Sequence, residues 1–439
     1  MSATRVAKMR QMLEHYAQTL PTNQTFSSAQ AGNREVLITG TTGALGCYIL
    51  AALLTDSSIT RVYGLNRRLN SSPLTTCERQ RRAFEERGLD PSLLDSDKLQ
   101  ILDGDLTQAD LGLPEATFTH LKSSVTTVMH IAWSVNFKMP LKSFDPMMIG
   151  LVNLISFSNS SAFRPTIIFA SSAIALQSAP AGLATIFEEH VPPSFALGSG
   201  YTEGKWVAER LLSRAADVCG LRSIIARVGQ VSGGLNGTWN MGEWFPCLVM
   251  SAQGMDAFPT IDKARIQSTV SPVFFIPPTL CAKAFVDFSR CEIVGNKIVH
   301  LIHSQEIMWN SIIAATVSEE FKVPLVPFEE WIKALRARYN KVTSNGTKRA
   351  DDRIVRDIPA LRLVSGLELV MGSSARNPNV DASGVPFLDL TNAIRYSDSL
   401  RNPDASEIIG PDDVRLWIRY WNSLKNPSKK QEPPRRALL

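Results

Sequence analysis

The stretch that decides the fold is Glu35-Val36-Leu37-Ile38-Thr39-Gly40-Thr41-Thr42-Gly43-Ala44-Leu45-Gly46-Cys47-Tyr48-Ile49-Leu50. An apolar run enters three glycines spaced T-G-x-x-G-x-x-G and leaves in an apolar helical pattern. Gly40 permits a tight turn, Gly43 lets the backbone approach a pyrophosphate, and Gly46 lets helix and sheet pack closely. A helix starting there presents free N–H groups and partial positive charge to phosphates. Residues 36–55 carry no charge over about the length of a membrane span. The glycines inside that stretch mark a turn, so it reads as buried strand, loop and buried helix, with no membrane.

Outward from this loop, short apolar runs alternate with helical patterns. The strands expected are Val36–Thr39, Arg61–Asn66, Leu99–Gly104, Thr127–Ile131, Thr166–Ala170 and Arg222–Val228. The helices between them are expected near Cys47–Leu54, Glu78–Arg87, Pro146–Asn159 and Tyr201–Cys219. This is an α/β chain with a Rossmann-type, doubly wound parallel sheet, which binds ligands beyond the C-terminal ends of its strands.

The organisation expected is a helix and linker over 1–34, a cofactor domain over 35–240 completed by a strand within 268–303, a smaller, mostly helical substrate domain over 241–425, and a basic tail over 426–439. Val6, Met9, Leu13, Tyr16 and Leu20 recur at helical spacing until Pro21, and Thr22–Asn33 reads as linker. Past Trp239 the pattern predicts weaker strands near Val273–Ile276 and Lys297–Ile302, and helices near Ser311–Glu319, Phe328–Tyr339 and Val414–Leu424.

Of 439 residues, 46 are Lys or Arg and 41 Asp or Glu, a net charge of +5 too mild to indicate a nucleic-acid binder. Six scattered cysteines without a C-x-x-C pair argue against a zinc ribbon or disulfide scaffold and for a reducing compartment. No signal peptide is visible, so the expected location is cytoplasmic.

An NAD enzyme would place an acid roughly 20 residues after the glycine loop. Here stand Asn66-Arg67-Arg68, whose guanidinium groups suit a 2′-phosphate and therefore NADPH. Asp105, in Gly104-Asp105-Leu106, reads either as a contact to the adenine edge or as a cap. Tyr201 and Lys205, four apart on a helix, share a face, and the ammonium is expected to favour phenolate. Lys205 can also hold the nicotinamide ribose. A hydroxyl of Ser171-Ser172, on the same rim as the glycine loop, can hydrogen-bond a developing oxyanion.

Other features are set aside. His300 and His303 point to opposite faces of a strand, which disfavours a metal pair. Asp398-Ser399-Leu400 lacks a carrier protein's context, Trp417 and Trp421 read as packing, and Glu188-Glu189-His190 lacks ligand spacing.

Together these residues resemble an extended short-chain dehydrogenase/reductase, and more narrowly the thioester reductase domains of fungal nonribosomal-peptide-synthetase-like and polyketide assembly lines and of carboxylic acid reductases. The glycine loop, Val62–Arg67, His130–Phe137, Ser171-Ser172, Gly200-Tyr201, Lys205–Arg210 and Arg227–Gln230 carry the likeness. Trp239-Asn240 with Glu243-Trp244-Phe245-Pro246 is the part least shared with other reductases.

The resemblance implies a catalytic set of Ser172, Tyr201 and Lys205, with Ser171 the lesser candidate. It implies cofactor contacts at Thr39, Gly40, Thr42, Gly43, Ala44, Leu45, Gly46, Asn66, Arg67, Arg68, Asp105, Leu106, Ala132 and Lys205, and substrate contacts at Asn136, Gln230, Trp239 and Trp244. It implies NADPH-dependent release of a phosphopantetheinyl acyl thioester from a carrier protein as an aldehyde, and by a second round as the alcohol. A monomer loaded by separate domains is expected. Two departures stand out: Gly204 where the family has Ser, and Phe275-Ile276-Pro277-Pro278-Thr279 where it has W-x-P-V-D. Alternatives are a dehydrogenase or epimerase acting on a free small molecule, and a non-catalytic NADP-binding regulator.

Overall fold

The computed structural model describes residues 2–22, 32–69, 71–261, 271–344, 354–374 and 379–425. Most of the 22–33 linker, the start of the 268–303 window and all of the 426–439 tail lie outside the described residues.

Seven parallel strands form the central sheet: β1 (Glu35–Thr39), β2 (Arg61–Asn66), β3 (Leu99–Asp103), β4 (Thr127–His130), β5 (Thr166–Ser172), β6 (Ser223–Val228) and β7 (Asn296–Leu301). Their order is β3-β2-β1-β4-β5-β6-β7, so the direction of winding reverses between β1 and β4. Such a reversal opens a crevice at the strands' C-terminal edge. The strands are apolar nearly throughout because helices cover both faces.

On one face Leu37, Val128, Ile167, Phe169 and Ile225 pack against α1 (Ser2–Ala17), α5 (Asp145–Ser160) and α6 (Gly200–Cys219). On the other, Ile38, Met129, Ile168 and Ala226 pack against α2 (Ala44–Thr55) and a helix at Pro278–Ser289. Helix α3 (Thr76–Glu86) lies against β3, and α4 (Glu115–Ser124) packs beside α5 through Phe118 and Phe157. The sequence pattern passed over α4 because Leu121 alone of its side chains is buried. Helix α1 is bound to the sheet's core: Met9, Leu13 and Tyr16 are buried and Arg5 pairs with Glu203 of α6 at 2.5 Å.

Two elements bear directly on the site. Strand β5 runs through both serines, which the pattern had placed beyond its end, and pairs Ser171 with Arg227 and Ser172 with Val228. Helix α6 opens on a capping box in which the Ser199 hydroxyl accepts from the Thr202 N–H. It ends at Gly220 with φ +68°.

The C-terminal portion builds its own core around Trp239, Phe245, Trp309, Trp331, Trp417 and Trp421. The strand expected over Val273–Ile276 shortens to Pro272–Val273, antiparallel to Ile307–Met308. Ile276 instead pairs singly with Val231 past the end of β6, which is how Phe275–Thr279 meets the sheet. The helix expected at Ser311–Glu319 begins as a wide π-type turn over Trp309–Ala314 and becomes α-helical over Ala315–Phe321. Among the described residues no helix is long and apolar enough to cross a membrane.

Candidate active site

The glycine loop leaves β1 at the reversal of winding. Gly40 has φ +77°, and a Cβ there would lie 2.9 Å from the Ala132 backbone. A Cβ on Gly46 would lie 2.1 Å from the Gly40 carbonyl oxygen. Side chains hold the loop from beneath. The Thr39 hydroxyl accepts from the N–H groups of Ile131 and Ala132. The Asn66 amide donates to the Thr41 hydroxyl at 2.6 Å, and Gln80 donates to the Thr41 carbonyl at 3.0 Å.

Helix α2 then starts at Gly43 with no side chain capping it, and Gly43 and Ala44 are exposed. A glycine cradle below an uncapped, solvent-facing helix N-terminus fits a dinucleotide pyrophosphate. Asn66 is buried and spent on the loop, so it shapes the cradle rather than lining it.

Arg67 and Arg68 are exposed just beyond β2. Asp105 accepts from the Thr107 N–H and hydroxyl, which hold its carboxyl below the usual range, with Arg67 adding to the effect. This is the cap reading of Asp105. Leu106 packs its backbone and Cβ against Gly150 of α5. Arg79 on α3 was not singled out from the sequence. Its guanidinium donates to the Arg67 carbonyl at 2.9 Å, and only the tertiary pairing of α3 with the end of β2 brings it there.

Across the crevice, Gly200 lets α6 begin against the loop before α5, since a Cβ there would lie 2.3 Å from the Met139 carbonyl oxygen. Tyr201 follows, buried, beside the Ser172 side chain. Burial pushes its phenol up to about 12, and the Ser172 hydroxyl only partly opposes this. The expectation that the lysine favours phenolate is therefore reversed. Lys205 donates to the Ala170 carbonyl at 2.6 Å, and its Nζ stands 5.8 Å from the Tyr201 ring centre. Burial holds the ammonium itself well below the usual lysine range. Gly204, between them, faces the Phe144 ring, where a Cβ would come within 3.3 Å. The helix is unbroken there, and a serine would need the phenyl ring to give by a few tenths of an ångström.

Ser172 meets Tyr201, whereas the Ser171 hydroxyl donates to Glu209 at 2.5 Å. Glu209 is fully buried with Arg227 at 2.8 Å, and Arg227 reaches His300 at 3.2 Å. His300 in turn bonds the Asp389 carbonyl, and its backbone N–H donates to Glu188. Glu188, passed over as a loop residue, also accepts from Asn392 and Ala393 and clamps that return segment to β7. His303 bonds separately to the Glu407 carbonyl.

On the substrate side, Asn136 is exposed and caps its own turn through Lys138. Phe137 beside it is half exposed, with its ring 4.9 Å from that of Tyr201. Gln230 accepts from the Trp244 indole at 2.8 Å and donates to Glu243. Trp239 departs from expectation. It is buried between Phe245, Phe275 and Trp417, donates to Glu243 at 2.9 Å, and is a packing ring rather than a lining one. Trp417 and Trp421 lie in that same core.

This sheet, with a phosphate cradle on one side of the crevice and a Tyr-Lys helix on the other, defines an NAD(P)-dependent reductase of the short-chain dehydrogenase/reductase class. The chain belongs to the male sterility protein family, whose model matches residues 38–285.

The adenylate-forming reductase Nps10 of Heterobasidion annosum is 35% identical over 424 residues, covering 96% of this chain and 37% of that one. A carboxylic acid reductase of Neurospora crassa is 28% identical over 435 residues, with 94% and 37% covered. The chain spans 35% to 37% of the length of the adenylate-forming reductases it matches. In fold it resembles the terminal R domain of the myxalamid PKS-NRPS pathway, with a TM-score of 0.70 at 20% identity over 95% of this chain and 98% of that one. It also resembles the reductase domain of a nonribosomal peptide synthetase from Mycobacterium tuberculosis, at 0.68 and 20% over 94% and 95%.

Proposed function

We propose that this chain is a releasing reductase: it takes an acyl thioester from the phosphopantetheine arm of a carrier protein and frees the acyl group as an aldehyde, using NADPH. The observation that carries this reading is the closeness of Tyr201 to Lys205, with Ser172 beside the phenol, in a chain whose α2 N-terminus is left open. Relatives that are domains of peptide synthetases and polyketide synthases support the carrier-bound substrate.

NADPH supplies the hydride for this chemistry. The Tyr201 hydroxyl protonates the carbonyl oxygen as it gains charge, and the Ser172 hydroxyl donates a hydrogen bond to the same oxygen. The thiohemiacetal that results breaks its carbon–sulfur bond, leaving aldehyde and free thiol. Overall, thioester, NADPH and one proton give aldehyde, thiol and NADP⁺. Gly40, Gly43 and the first turn of α2 would hold the pyrophosphate, and Arg67 and Arg68 the 2′-phosphate. Six free cysteines suit a reducing, cytoplasmic setting. One chain supplies every residue of the set, so a monomer suffices.

The decisive experiment is NADPH oxidation with a panel of acyl-pantetheine thioesters, with products identified by mass, beside free ketones and nucleotide sugars. Aldehyde from the thioesters is expected. Turnover of the free substrates alone would return the chain to the dehydrogenase or epimerase reading.

Three further outcomes follow from the site. Replacing Arg67 and Arg68 together by Ala is expected to weaken NADPH binding by about tenfold or more, as loss of charge-assisted bonds requires, while NADH binding stays unchanged. Fluorescence titration with both nucleotides measures this. Ser172→Ala is expected to lower kcat by about 10²-fold at constant NADPH affinity, the scale for one oxyanion donor. Ser171→Ala should instead lower thermal stability, because it strips a hydrogen bond from buried Glu209.

A further inference from the structure

We propose that Trp133 is a positioning residue of this site: its indole face, together with the Ala170 carbonyl, holds the Lys205 ammonium between β5 and the Tyr201 ring. As a statement about the reaction, this rests on the reading that Lys205 acts beside Tyr201. As a statement about the lysine, it stands on geometry alone.

Lys205 is 2% exposed. An ammonium has three N–H donors, and burying one without partners is costly. Nζ donates to the Ala170 carbonyl at 2.6 Å, and three aromatic rings stand close to it. The centre of the Trp133 ring is 4.1 Å from Nζ, that of Phe169 4.6 Å and that of Tyr201 5.8 Å. All lie within the range in which a ring face attracts a cation, and indole is the strongest such face.

The titratable groups around Nζ do not replace this contact. Glu209, one turn along α6, favours the ammonium, but its carboxylate is engaged by Arg227 and Ser171. His130 on β4 is neutral, pushed down to about 3 by burial and by Lys205 itself. Tyr201 is an uncharged phenol at neutral pH.

Trp133 is fixed for this role. Its ring stacks on Phe144 at 6.2 Å and meets Phe169 edge-on at 5.5 Å. Its Nε1 is buried without a hydrogen-bond partner, so the ring acts through its face and a phenyl ring forfeits no hydrogen bond. The same loop carries Phe137 to the Tyr201 ring at 4.9 Å, so one segment touches both members of the Tyr-Lys pair.

The test reads the lysine directly. In protein carrying ¹³Cε-lysine, the Lys205 resonance is assigned by its loss in Lys205→Met and titrated in the absence of cofactor. Trp133→Leu is expected to lower the titration midpoint by about one pH unit, the scale of a desolvated cation–π contact, and Trp133→Phe to restore most of it. The alkaline limb of NADPH oxidation with an acyl-pantetheine thioester should move to lower pH in the same order. Should Trp133→Leu not fold, fluorinated tryptophan weakens the ring face at constant shape. Trp133 is the one tryptophan facing a cation among the described residues, so the same downward shift is expected.

An unchanged Lys205 midpoint in Trp133→Leu or in the fluorinated protein overturns the proposal. So does a shifted midpoint with an unshifted limb. If the unsubstituted protein turns over no thioester, the release reading falls, and the titration still decides whether Trp133 holds the lysine.

Discussion

Tyr201→Phe is expected to abolish NADPH oxidation with an acyl-pantetheine thioester, a loss of about 10²- to 10⁴-fold, while NADPH affinity is retained. The substitution removes one oxygen and leaves the ring that packs on Phe137 and Phe144. The size of the loss follows from the state of the phenol. Burial pushes Tyr201 up to about 12, so it carries its proton throughout the neutral range. That is the form a reduction needs, because the substrate oxygen gains charge and must be protonated. An alkaline decline in rate is then assigned to Lys205, whose ammonium burial holds well below the usual lysine range. Absorbance assays of turnover beside fluorescence titration of NADPH separate the two effects. Near-normal turnover in Tyr201→Phe would remove Tyr201 from the mechanism.

Arg227→Met is expected to cost about 3–5 kcal/mol of stability, the scale for leaving one member of a buried ion pair alone. Arg227 and Glu209 are both almost wholly buried, with Nη2 and Oε2 2.8 Å apart and Ser171 adding a bond to the same carboxylate. Burial by itself raises the Glu209 carboxyl, but Arg227 and Ser171 outweigh it, and the group ends below its ordinary value. A carboxyl lowered on folding adds stability above its unfolded pKa and loses it as pH falls through the folded one.

In Arg227→Met the cation is gone and burial dominates, so the sign inverts. The variant should lose stability as pH rises through the now elevated Glu209 titration. Urea denaturation at about pH 5.5 and pH 8 reads both the loss and its reversal. Adding Glu209→Gln should recover part of the loss, since the two sites are in contact and do not add independently. Equal stability of Arg227→Met and the parent chain would contradict this account.

Much of the molecule was readable before any coordinates. The six strands from Val36 to Val228 were legible because a parallel sheet covered on both faces needs nearly continuous apolar runs. Helices α2, α5 and α6 were legible from the same alternation, and the glycine loop from the close approaches at Gly40 and Gly46 that exclude a side chain. Helix α4, with Leu121 as its one buried side chain, left no periodic trace. Trp239 and Trp244 stand in one motif, yet one is a core ring and the other bonds Gln230, a distinction set by Phe275 and Trp417, distant in sequence.

By itself the sequence determined the kind of fold, the edge that carries the glycine loop and the residue types gathered there. Local spacing and burial pattern carry that information. Tertiary structure alone decided that Ser171 is spent on Glu209, because that carboxylate is set beside Arg227 only when α6 packs over β5 and β6. It alone showed that the phenol is buried, which favours its protonated form, because burial is a property of the assembled core. It alone set the indole of Trp133 over the lysine, because the two residues lie 72 positions apart and meet only when β4, β5 and α6 pack together.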